Sequence, residues 1–328
     1  MVSNAQYDVL VLGEVLVELS SPHSLSEGRD FKLSFSGDAL NGAAAAAQAG
    51  ASVGIVTRVA QDELGDALVN RVAELGIATD LIQRVPGQHG VYFVMQDPGG
   101  THDFVYVRRG SAAAGLGPGD LPEREIAAAR SLLVGGIACA ISDSCAAAVE
   151  RAATLVSDAG GLVLYDPNFR RRLTSPEEGA AALQRVAPLA SVITPSCPAD
   201  TEPLLGTDDP ATAAARCREL GAAAVAVTCG EDGVYADLGD GPVHLPPMRA
   251  RSVVDTTGAG DVLAGTTAAR LALGDPLLEA LHLGMAAATL SLSGAGGTGR
   301  LATLVQSREL ARRRPPLQTA AGSPNPTA

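Results

Sequence analysis

The segment Asp255–Gly265, DTTGAGDVLAG, carries the strongest signal for fold and chemistry in this chain. It follows a strand-like piece, Arg251–Val254, and opens a long apolar helix that we predict over Ala259–Leu273. Gly258 and Gly260 permit a tight turn that approaches a ligand closely, because glycine has no Cβ. The N–H groups of this turn would lie at a helix N-terminus, where unpaired donors and the helix dipole attract an anion.

An acidic residue lies within this anion-attracting turn. Asp261 can accept a proton from a substrate hydroxyl. The N–H groups of Gly258, Ala259 and Gly260 would then neutralise charge on a phosphoryl group in transit. The alternative is an ordinary helix start with Asp in its first turn, which is a common arrangement. The paired glycines, the two preceding threonines and the internal Asp together favour the catalytic interpretation.

Short apolar runs alternate with helix-like stretches along most of the chain. The runs are typical of buried parallel strands. They cover Tyr7–Gly13, Val53–Val56, Ser131–Val134, Leu162–Tyr165, Ser191–Thr194 and Ala223–Thr228. Helices are predicted between and after them, at Ala39–Ala49, Glu63–Leu75, Ser144–Ala159, Pro176–Ala187, Ala211–Leu220, Ala259–Leu273 and Pro276–Leu292. This alternation predicts an α/β fold in which helices cover both faces of a mainly parallel sheet.

Four strand-like segments interrupt the alternation. They are Glu14–Ser20, Phe31–Phe35, Gly90–Gln96 and His102–Arg108, with a turn signal, DPGG, at residues 97–100. We expect them to form a small second sheet that acts as a lid over an active-site cleft. An antiparallel edge of the main sheet is the alternative. The prediction is one domain over residues 1–312, with lid strands inserted at 14–36 and 88–110, and a disordered tail at 313–328.

The composition excludes several function classes. The chain has 328 residues and a net charge of −12, which argues against nucleic acid or an anionic membrane as partner. Hydrophobic residues make up 46%, which excludes a mostly disordered chain. Lys32 is the one lysine among 24 basic residues and lies outside any GxxxxGK[ST] motif, so a Walker-type phosphate loop is excluded.

Histidines and cysteines give no metal or disulfide pattern. The five histidines lie far apart, and the five cysteines are never spaced CxxC, so we expect reduced thiols in a cytoplasmic protein. We see neither a signal peptide nor a membrane-spanning segment. Gly294–Gly299 matches GxGxxG, but it follows a predicted helix instead of a strand. We therefore interpret it as a loop near the nucleotide base rather than a dinucleotide fingerprint.

These motifs resemble a known family. DTTGAGD before a small-residue helix is similar to the C-terminal signature of the ribokinase/PfkB carbohydrate kinases, and Ser36–Asn41, SGDALN, resembles their N-terminal GG-x-x-x-N signature. The resemblance extends from about Tyr7 to Gly299. It implies a ribokinase-like three-layer αβα fold with a small β-sheet lid. It also implies ATP with Mg²⁺ as cofactors, with a monovalent cation as a further candidate, and Asp261 as the base.

The same resemblance implies a substrate side. Gly37, Asp38 and Asn41 would contact sugar hydroxyls, and Glu18 falls where many sugar kinases carry a substrate-binding Asp. Tyr92 and Tyr106, on the two later lid strands, would pack over the sugar or form lid core. Within the family the chain is most similar to kinases of the sugar acid 2-keto-3-deoxygluconate. The shared motifs are GEVLVEL at 13–19, GDALN at 37–41, YVR at 106–108, GSAA at 110–113 and DPNFR at 166–170.

A sugar acid requires local cations in a chain of this charge. Arginine binds a carboxylate at two points, and Arg108 and Arg170 stand at the ends of predicted strands that face the cleft. The predicted acceptor is therefore a primary hydroxyl of a sugar or sugar acid. Fructose, ribose or a nucleoside is the alternative within the family. A non-catalytic sugar or nucleotide sensor and an enzyme dependent on NAD(P) are the alternatives outside it. An exposed face of the lid sheet would favour a homodimer.

The nucleotide side is also assigned by resemblance. Val227–Gly233 is similar to the family turn that lies against the ATP phosphates, so Thr228, Gly230 and Gly233 are candidate ATP contacts. Residues 194–202 fall where the family has N-x-x-E, and this sequence departs from that motif. Counted from Ser196 in place of Asn, the acidic position is Ala199, and one inserted residue would put Asp200 in place of Glu. Asp200 would serve Mg²⁺ through water. Ala287, on the last long helix, is the candidate for the adenine pocket.

Overall fold

The predicted apolar runs pair side by side in the middle of a ten-stranded sheet. The computed structural model describes residues 6–23, 30–96, 102–239, 241–313 and 318–319. Its strands are β1 Val9–Leu12, β2 Leu16–Ser21, β3 Lys32–Ser36, β4 Val53–Ala60, β5 Ile82–Val85, β6 Val91–Gln96, β7 His102–Val107, β8 Ser131–Gly135, β9 Leu162–Asp166, β10 Val192–Ile193, β11 Val225–Thr228, β12 Val234–Asp237, β13 Pro242–Leu245 and β14 Gln318–Thr319. Its α-helices are α1 Asp38–Gln48, α2 Glu63–Glu74, α3 Glu123–Ala128, α4 Gly136–Ile141, α5 Asp143–Asp158, α6 Pro176–Val186, α7 Thr201–Leu205, α8 Pro210–Glu219, α9 Ala259–Ala272, α10 Leu277–Ser291 and α11 Leu304–Ala311.

The large sheet has the order β14-β13-β12-β11-β10-β9-β8-β1-β4-β5. The strands from β11 to β5 are parallel, whereas β11 to β14 pair antiparallel. Successive side chains of β1 point to opposite faces. Val9 and Val11 belong to the apolar cluster that includes residues of α1, α2 and α9, and Leu10 and Leu12 belong to the cluster that includes residues of α5, α6 and α8. Both faces are covered, so the predicted three-layer αβα architecture is confirmed.

The four interrupting segments form a separate sheet in the order β3-β2-β6-β7. Strand β2 pairs antiparallel with β3 and parallel with β6, and β6 pairs antiparallel with β7. The expectation of a small second sheet is confirmed, and the alternative of an edge on the main sheet is wrong. The predicted turn at residues 97–100 lies outside the described residues.

Two local expectations differ from the structure. Arg251–Val254 does not form a strand, and Val253 and Val254 are 64% and 62% exposed. The N–H of Val254 donates instead to the carbonyl of Leu292 at 2.7 Å. Gln318–Thr319, within the predicted tail, forms β14 beside β13, while residues 314–317 and 320–328 lie outside the described part. Within the described ranges, no helix combines the length and apolar character needed to cross a bilayer.

Candidate active site

The cleft lies where β1, β8 and β9 end at one edge of the central sheet. Its polar lining comprises Asp38, Asp166, Asn168 and Asp261. Ligands of open α/β sheets bind outside the carboxyl ends of the strands. The cleft is therefore both the expected ligand position for this architecture and the place where the acidic side chains meet.

Asp261 occupies the first turn of α9 and faces the cleft. Gly258, just before the helix, has a φ of 79°, and a Cβ there would lie 2.7 Å from Cα of Gly297. Only glycine suits that backbone and that space. Asn41 donates from Nδ2 to Oδ2 of Asp261 at 2.8 Å, and Asn168 donates from Nδ2 to Oδ1 at 3.1 Å. Two amides therefore fix the carboxylate in the cleft.

The surroundings of Asp261 make it a weak base near neutral pH. Burial raises its pKa to about 6, and the negative charge of Asp38 adds to the rise. The hydrogen bond from Asn41, the charge of Arg170 and the hydrogen bond from Asn168 oppose it. A carboxylate with such a pKa is mostly ionised at pH 7 and is still basic enough to accept a proton in a transition state.

Asn168 is a site residue to which the sequence analysis assigned no role. It follows β9 and has a left-handed backbone with a φ of 41°, which Asn tolerates better than most residues. Asp166 Oδ1 accepts from the N–H of Asn168 at 3.2 Å, and Asp200 Oδ1 accepts from the N–H of Phe169 at 2.7 Å. These bonds hold the turn that presents the Asn168 amide to Asp261. Its place at the end of a core strand was the available signal.

The cleft is acidic, and arginine partly compensates its charge. Burial raises the pKa of Asp166 well above its ordinary range, with the charge of Asp200 as the next cause. Burial also raises the pKa of Asp38, against the positive charges of Arg108 and then Arg170. Arg170 lowers the pKa of all three cleft carboxylates, and its side chain is exposed. An accessible cation therefore stands beside an acidic cleft.

The first predicted substrate signature lies against this cleft. Gly37 has a φ of 122°, and a Cβ there would lie 2.9 Å from the carbonyl oxygen of Glu14, so glycine is required. Asp38 begins α1 and lines the cleft. Asn41 is buried, and its Oδ1 accepts from Ser36 Oγ at 3.3 Å. Asn41 was expected to reach substrate hydroxyls, whereas in this structure its Nδ2 holds Asp261.

The two lid tyrosines have different environments. Tyr92 and Tyr106 lie opposite each other on β6 and β7, with ring centroids 6.3 Å apart. Tyr92 is buried, and its hydroxyl donates to Glu18, which also accepts from Ser34 Oγ at 2.9 Å. Burial raises the pKa of Tyr92, so the hydroxyl stays protonated as a donor. Tyr92 therefore belongs to the lid core, and the half-buried Tyr106 is the more accessible ring.

The two predicted carboxylate-binding arginines also differ. Arg108 is 5% exposed, and its Nε donates to Glu14 Oε2 at 2.7 Å. Arg170 is exposed, and its Nη1 donates to the carbonyl of Phe169 at 3.0 Å. Arg170 offers an open guanidinium to a ligand, whereas Arg108 acts from inside the protein beside Asp38. No local pattern in the sequence pointed to Glu14 as the partner of Arg108.

The two nucleotide-side segments lie next to each other. Ser196 and Thr228 form a parallel bridge, which joins residues 194–202 to the turn after β11. Gly230 has a φ of 55° and open space around it. Gly233 has a φ of 88°, and a Cβ there would lie 2.2 Å from the carbonyl oxygen of Leu245. Gly230 therefore presents accessible backbone, while Gly233 permits close packing against β13.

The predicted metal role of Asp200 does not fit this structure. Asp200 is 1% exposed, which leaves no surface for a metal-bound water. Its Oδ1 accepts from the N–H of Phe169, and its Oδ2 accepts from both the N–H and Oγ of Ser196 at 2.7 Å. Asp200 connects the turn of Asn168 to the nucleotide-side segment, and this is the correction to the expectation.

The predicted adenine contact of Ala287 is wrong as well. Ala287 is buried among Ala45, Val262 and Ala302, between helices. A buried methyl group in that position cannot line a ligand pocket. Because α10 is apolar around much of its circumference, its sequence did not reveal which face is covered.

The GxGxxG loop packs against the turn before α9. Asp255 accepts from the N–H of Thr257 with Oδ1 and from the N–H of Gly296 with Oδ2, each at 2.8 Å. A Cβ on Gly297 would lie 2.2 Å from Asn41 Nδ2. The loop follows α10, so a dinucleotide fingerprint is excluded by its context. The loop lies beside Asn41 and the GAGD turn, and its place near the nucleotide base stays a prediction.

Comparison with known proteins agrees with this geometry. The sequence profile of the pfkB family carbohydrate kinases matches residues 6–303. The chain belongs to the PfkB family of carbohydrate kinases. It is therefore an ATP-dependent sugar kinase with a ribokinase-like fold.

Individual relatives of this sugar kinase carry several substrate names. The 2-dehydro-3-deoxygluconokinase of Thermoproteus tenax is 31% identical over 316 residues, covering 94% of this chain and 95% of that protein. A fructokinase of Klebsiella pneumoniae is 32% identical over 273 residues, covering 82% and 86%. The E. coli protein assigned as ribokinase II, solved with ATP and Mg²⁺, superimposes with a TM-score of 0.84 at 25% identity, covering 93% of this chain and 99% of that one.

Proposed function

We propose that this sugar kinase transfers the γ-phosphoryl group of ATP to a primary hydroxyl of 2-keto-3-deoxygluconate. The observation that carries the proposal is Arg170, an exposed cation two residues after the cleft residue Asn168, whose charge lowers the pKa of all three cleft carboxylates. A chain with a net charge of −12 repels an anionic sugar acid unless a local cation holds its carboxylate. The Thermoproteus tenax relative, named for this sugar acid, supports the assignment.

Asp261 is the proposed base. Its carboxylate, held by Asn41 and Asn168, would accept the proton of the attacking hydroxyl. The N–H groups of Gly258, Ala259 and Gly260 at the start of α9 would stabilise the charge on the transferring group. Catalysis would then consist mainly of positioning and charge stabilisation, as is general for phosphoryl transfer.

The acceptor sugar would lie between the lid and α1. Gly37 and Asp38 are the proposed hydroxyl contacts, Tyr106 the ring that covers the sugar, and Arg170 with Arg108 the carboxylate site. Closure of the small sheet would exclude water, which otherwise competes with the sugar for the phosphoryl group.

ATP would bind along Ser196, Thr228 and Gly230, with its γ-phosphate at the GAGD turn. Asp166 in the cleft lining is the carboxylate proposed for Mg²⁺, because this ion prefers oxygen ligands and would take most of them from the nucleotide phosphates and water. Bound on the nucleotide, Mg²⁺ supplies neutralisation of the phosphate charges. A monovalent cation stays a prediction.

The outer face of the small sheet supports a homodimer. Side chains at alternate positions, among them Leu33 at 52% and Val107 at 58% exposure, present apolar surface on the face opposite Tyr92. We propose that a second copy covers this face, because its burial would remove apolar area from water. Sedimentation of the purified chain with and without a Leu33→Glu substitution tests this proposal.

A panel of acceptors tests the proposed substrate. ATP consumption is measured with 2-keto-3-deoxygluconate, its galactonate epimer, fructose, ribose and adenosine, and the product is assigned by phosphorus NMR. The highest kcat/KM is expected with the gluconate-derived acid. A higher kcat/KM with a neutral sugar contradicts the assignment. ATP consumption with none of them would favour a sensor role.

A matched pair of arginine variants tests the carboxylate site. Arg170→Gln should raise KM for the sugar acid by about 10- to 100-fold, since a charge-assisted bidentate contact is lost. Arg171→Gln alters the exposed neighbouring residue and should leave KM unchanged. Equal effects of both variants, or equal effects on acid and neutral sugars, would remove Arg170 from carboxylate recognition.

Fructose is the second candidate, and one observation favours it. Arg108 is already paired with the buried Glu14, so part of the cationic character expected for a sugar acid is compensated within the protein. The Klebsiella pneumoniae fructokinase matches this chain at a similar identity, although over 273 residues rather than the 316 of the Thermoproteus tenax kinase. The acceptor panel separates the two.

A further inference from the structure

Glu14 lies at the junction between the small sheet and the central domain. Four chain segments cross this junction, between β1 and β2, β3 and α1, β5 and β6, and after β7. Glu14 itself belongs to the first. Its carbonyl oxygen would lie 2.9 Å from a Cβ on Gly37 in the second, and its Oε1 would lie 2.4 Å from a Cβ on Gly90 in the third. Arg108 and Ser111, in the fourth, both donate to its carboxylate.

The ion pair at this junction is closed to solvent. Glu14 is 1% exposed and Arg108 is 5% exposed, with Nε and Nη2 of the arginine 2.7 and 2.6 Å from Oε2. Burial raises the pKa of Glu14, and the charge of Arg108 followed by the Ser111 hydrogen bond opposes the rise. Removing one partner of such a pair leaves the other charge buried without compensation. The pair must therefore be kept or lost together.

The pair lies next to the cleft. The carbonyl oxygen of Glu14 packs against Gly37, which immediately precedes Asp38, the first residue of α1 and part of the cleft lining. Arg108 is also the largest favourable charge on Asp38 while its guanidinium pairs with Glu14. A displacement of the carboxylate of Glu14 would change both the direction of Arg108 and the contact of Gly90 with the junction.

We infer that Glu14 is a positioning residue that fixes Arg108 toward the acceptor sugar and holds the four crossings of the lid in one arrangement. The inference rests on the proposed function, in that Arg108 is taken to contact the sugar. Glu14 contacts no reacting atom in this scheme and acts through Arg108. Loss of Glu14 should therefore affect KM for the sugar more strongly than kcat.

The test is a double-variant cycle on the full chain. Glu14→Gln keeps the side-chain size and removes the charge, and it should raise KM for the acceptor sugar by about 10- to 100-fold, as when a ligand-contacting group loses the partner that orients it. KM for ATP should change by less than about threefold, since the nucleotide side does not contact Glu14. In an Arg108→Gln background, Glu14→Gln should add nothing further.

A second buried arginine offers the control for stability. Nε of Arg270, a residue that is 7% exposed, lies 2.7 Å from Oδ2 of Asp275. This ion pair lies outside the cleft. Asp275→Asn should lower the melting temperature without changing KM for sugar or ATP. A purely structural Glu14 would behave like Asp275 in this comparison.

The outcomes distinguish a failure of the proposed role of Arg108 from a failure of the inference about Glu14. If Arg108→Gln leaves the sugar KM unchanged, the proposed role of Arg108 fails and the inference fails with it. If Arg108→Gln raises KM but Glu14→Gln does not, or if their effects add, the inference alone is overturned. Should Glu14→Gln not fold, Ser111→Ala decides. It removes one hydrogen bond to Glu14, and an increase of about two- to fivefold in sugar KM supports the inference while an unchanged KM overturns it.

Discussion

Asn41 on α1 donates from Nδ2 to Oδ2 of Asp261 on α9 across 2.8 Å, although the two residues are 220 positions apart. The helices meet closely enough for this contact because they touch backbone to backbone. A Cβ on Gly265 of α9 would lie 2.0 Å from the carbonyl oxygen of Gly42 on α1. The small residues of both helices therefore determine where the carboxylate of the proposed base is held.

Replacing Asp261 by Asn should lower kcat by about 10²- to 10⁴-fold, because the amide cannot accept the proton of the acceptor hydroxyl. The dissociation constant for ATP should stay nearly the same. Steady-state turnover and calorimetric nucleotide binding measure the two quantities. Near-normal turnover of the variant would remove Asp261 from the mechanism.

The pKa of Asp261 also gives the fold a pH dependence. This pKa is raised to about 6, so the contribution of Asp261 to stability is present below the ordinary Asp pKa and is lost as pH rises through about 6. Asp261→Asn has no charge to bury, but its amide cannot accept from both Asn41 and Asn168, so the variant should melt below the wild type near pH 4. This deficit in melting temperature should shrink by about 2–5 °C between pH 4 and pH 8, because only the wild type carries the buried charge at pH 8. A deficit that stays constant or grows over this range contradicts the raised pKa.

The pH dependence of kcat/KM should reveal the effect of the Asn168 amide on the pKa of Asp261. With the acidic limb of kcat/KM near pH 6 in the wild type, Asn168→Gly should move that limb upward, because a hydrogen bond that lowers the pKa of Asp261 is lost. Glycine suits the left-handed backbone at this position, where φ is 41°. Asn70→Ala, on the exposed part of α2, is the control. An unchanged or lowered limb in Asn168→Gly would count against the assignment.

Alanine substitutions at two glycines with a left-handed backbone distinguish the effect of backbone strain from an effect on the anion-binding turn. Gly258 and Gly274 have φ values of 79° and 92°, but a Cβ on Gly258 would lie 2.7 Å from Gly297, while Gly274 has no atom within 4 Å. Gly274→Ala should cost about 1 kcal/mol of stability and leave kcat unchanged. Gly258→Ala should in addition lower kcat by about 100-fold, because the anion-binding turn is displaced. Similar kinetics for both variants would mean that the Gly258 turn does not bind the transferring group.

Asp200→Asn distinguishes positioning from metal binding. The amide cannot accept hydrogen bonds at both of its atoms, so the turn of Asn168 and the position of Ser196 should loosen, and kcat should fall by about tenfold. The Mg²⁺ concentration for half-maximal activity should change by less than about twofold. Asp209→Asn is the control, because Asp209 accepts from the N–H of Thr212 at the start of α8. A strongly raised Mg²⁺ requirement in Asp200→Asn would restore the metal role.

The parts of the fold that could be predicted are those with strong local patterns. The buried parallel strands are short continuous apolar runs, and the long helices are longer stretches rich in alanine and leucine, so both were expected close to their observed places. Strands β12 and β13 were missed because they are short and mix polar with apolar residues at the antiparallel side of the sheet. Val253 and Val254 were expected in a strand, yet they pair with no strand in the described part of the chain, and they stay exposed.

The amino-acid sequence alone determined the turn at Gly258 and the carboxylate of Asp261, because glycine spacing and helix start are properties of neighbouring residues. Tertiary structure decided that Asn168 contacts Asp261, that Glu14 pairs with Arg108, and that Asp200 accepts from the N–H of Phe169. These partners lie far apart in the chain. Because buried polar groups need hydrogen-bond partners, each one pairs with the group that folding brings within hydrogen-bond distance. Local propensity contains no information about such encounters, so they became visible only once the helices and strands were packed.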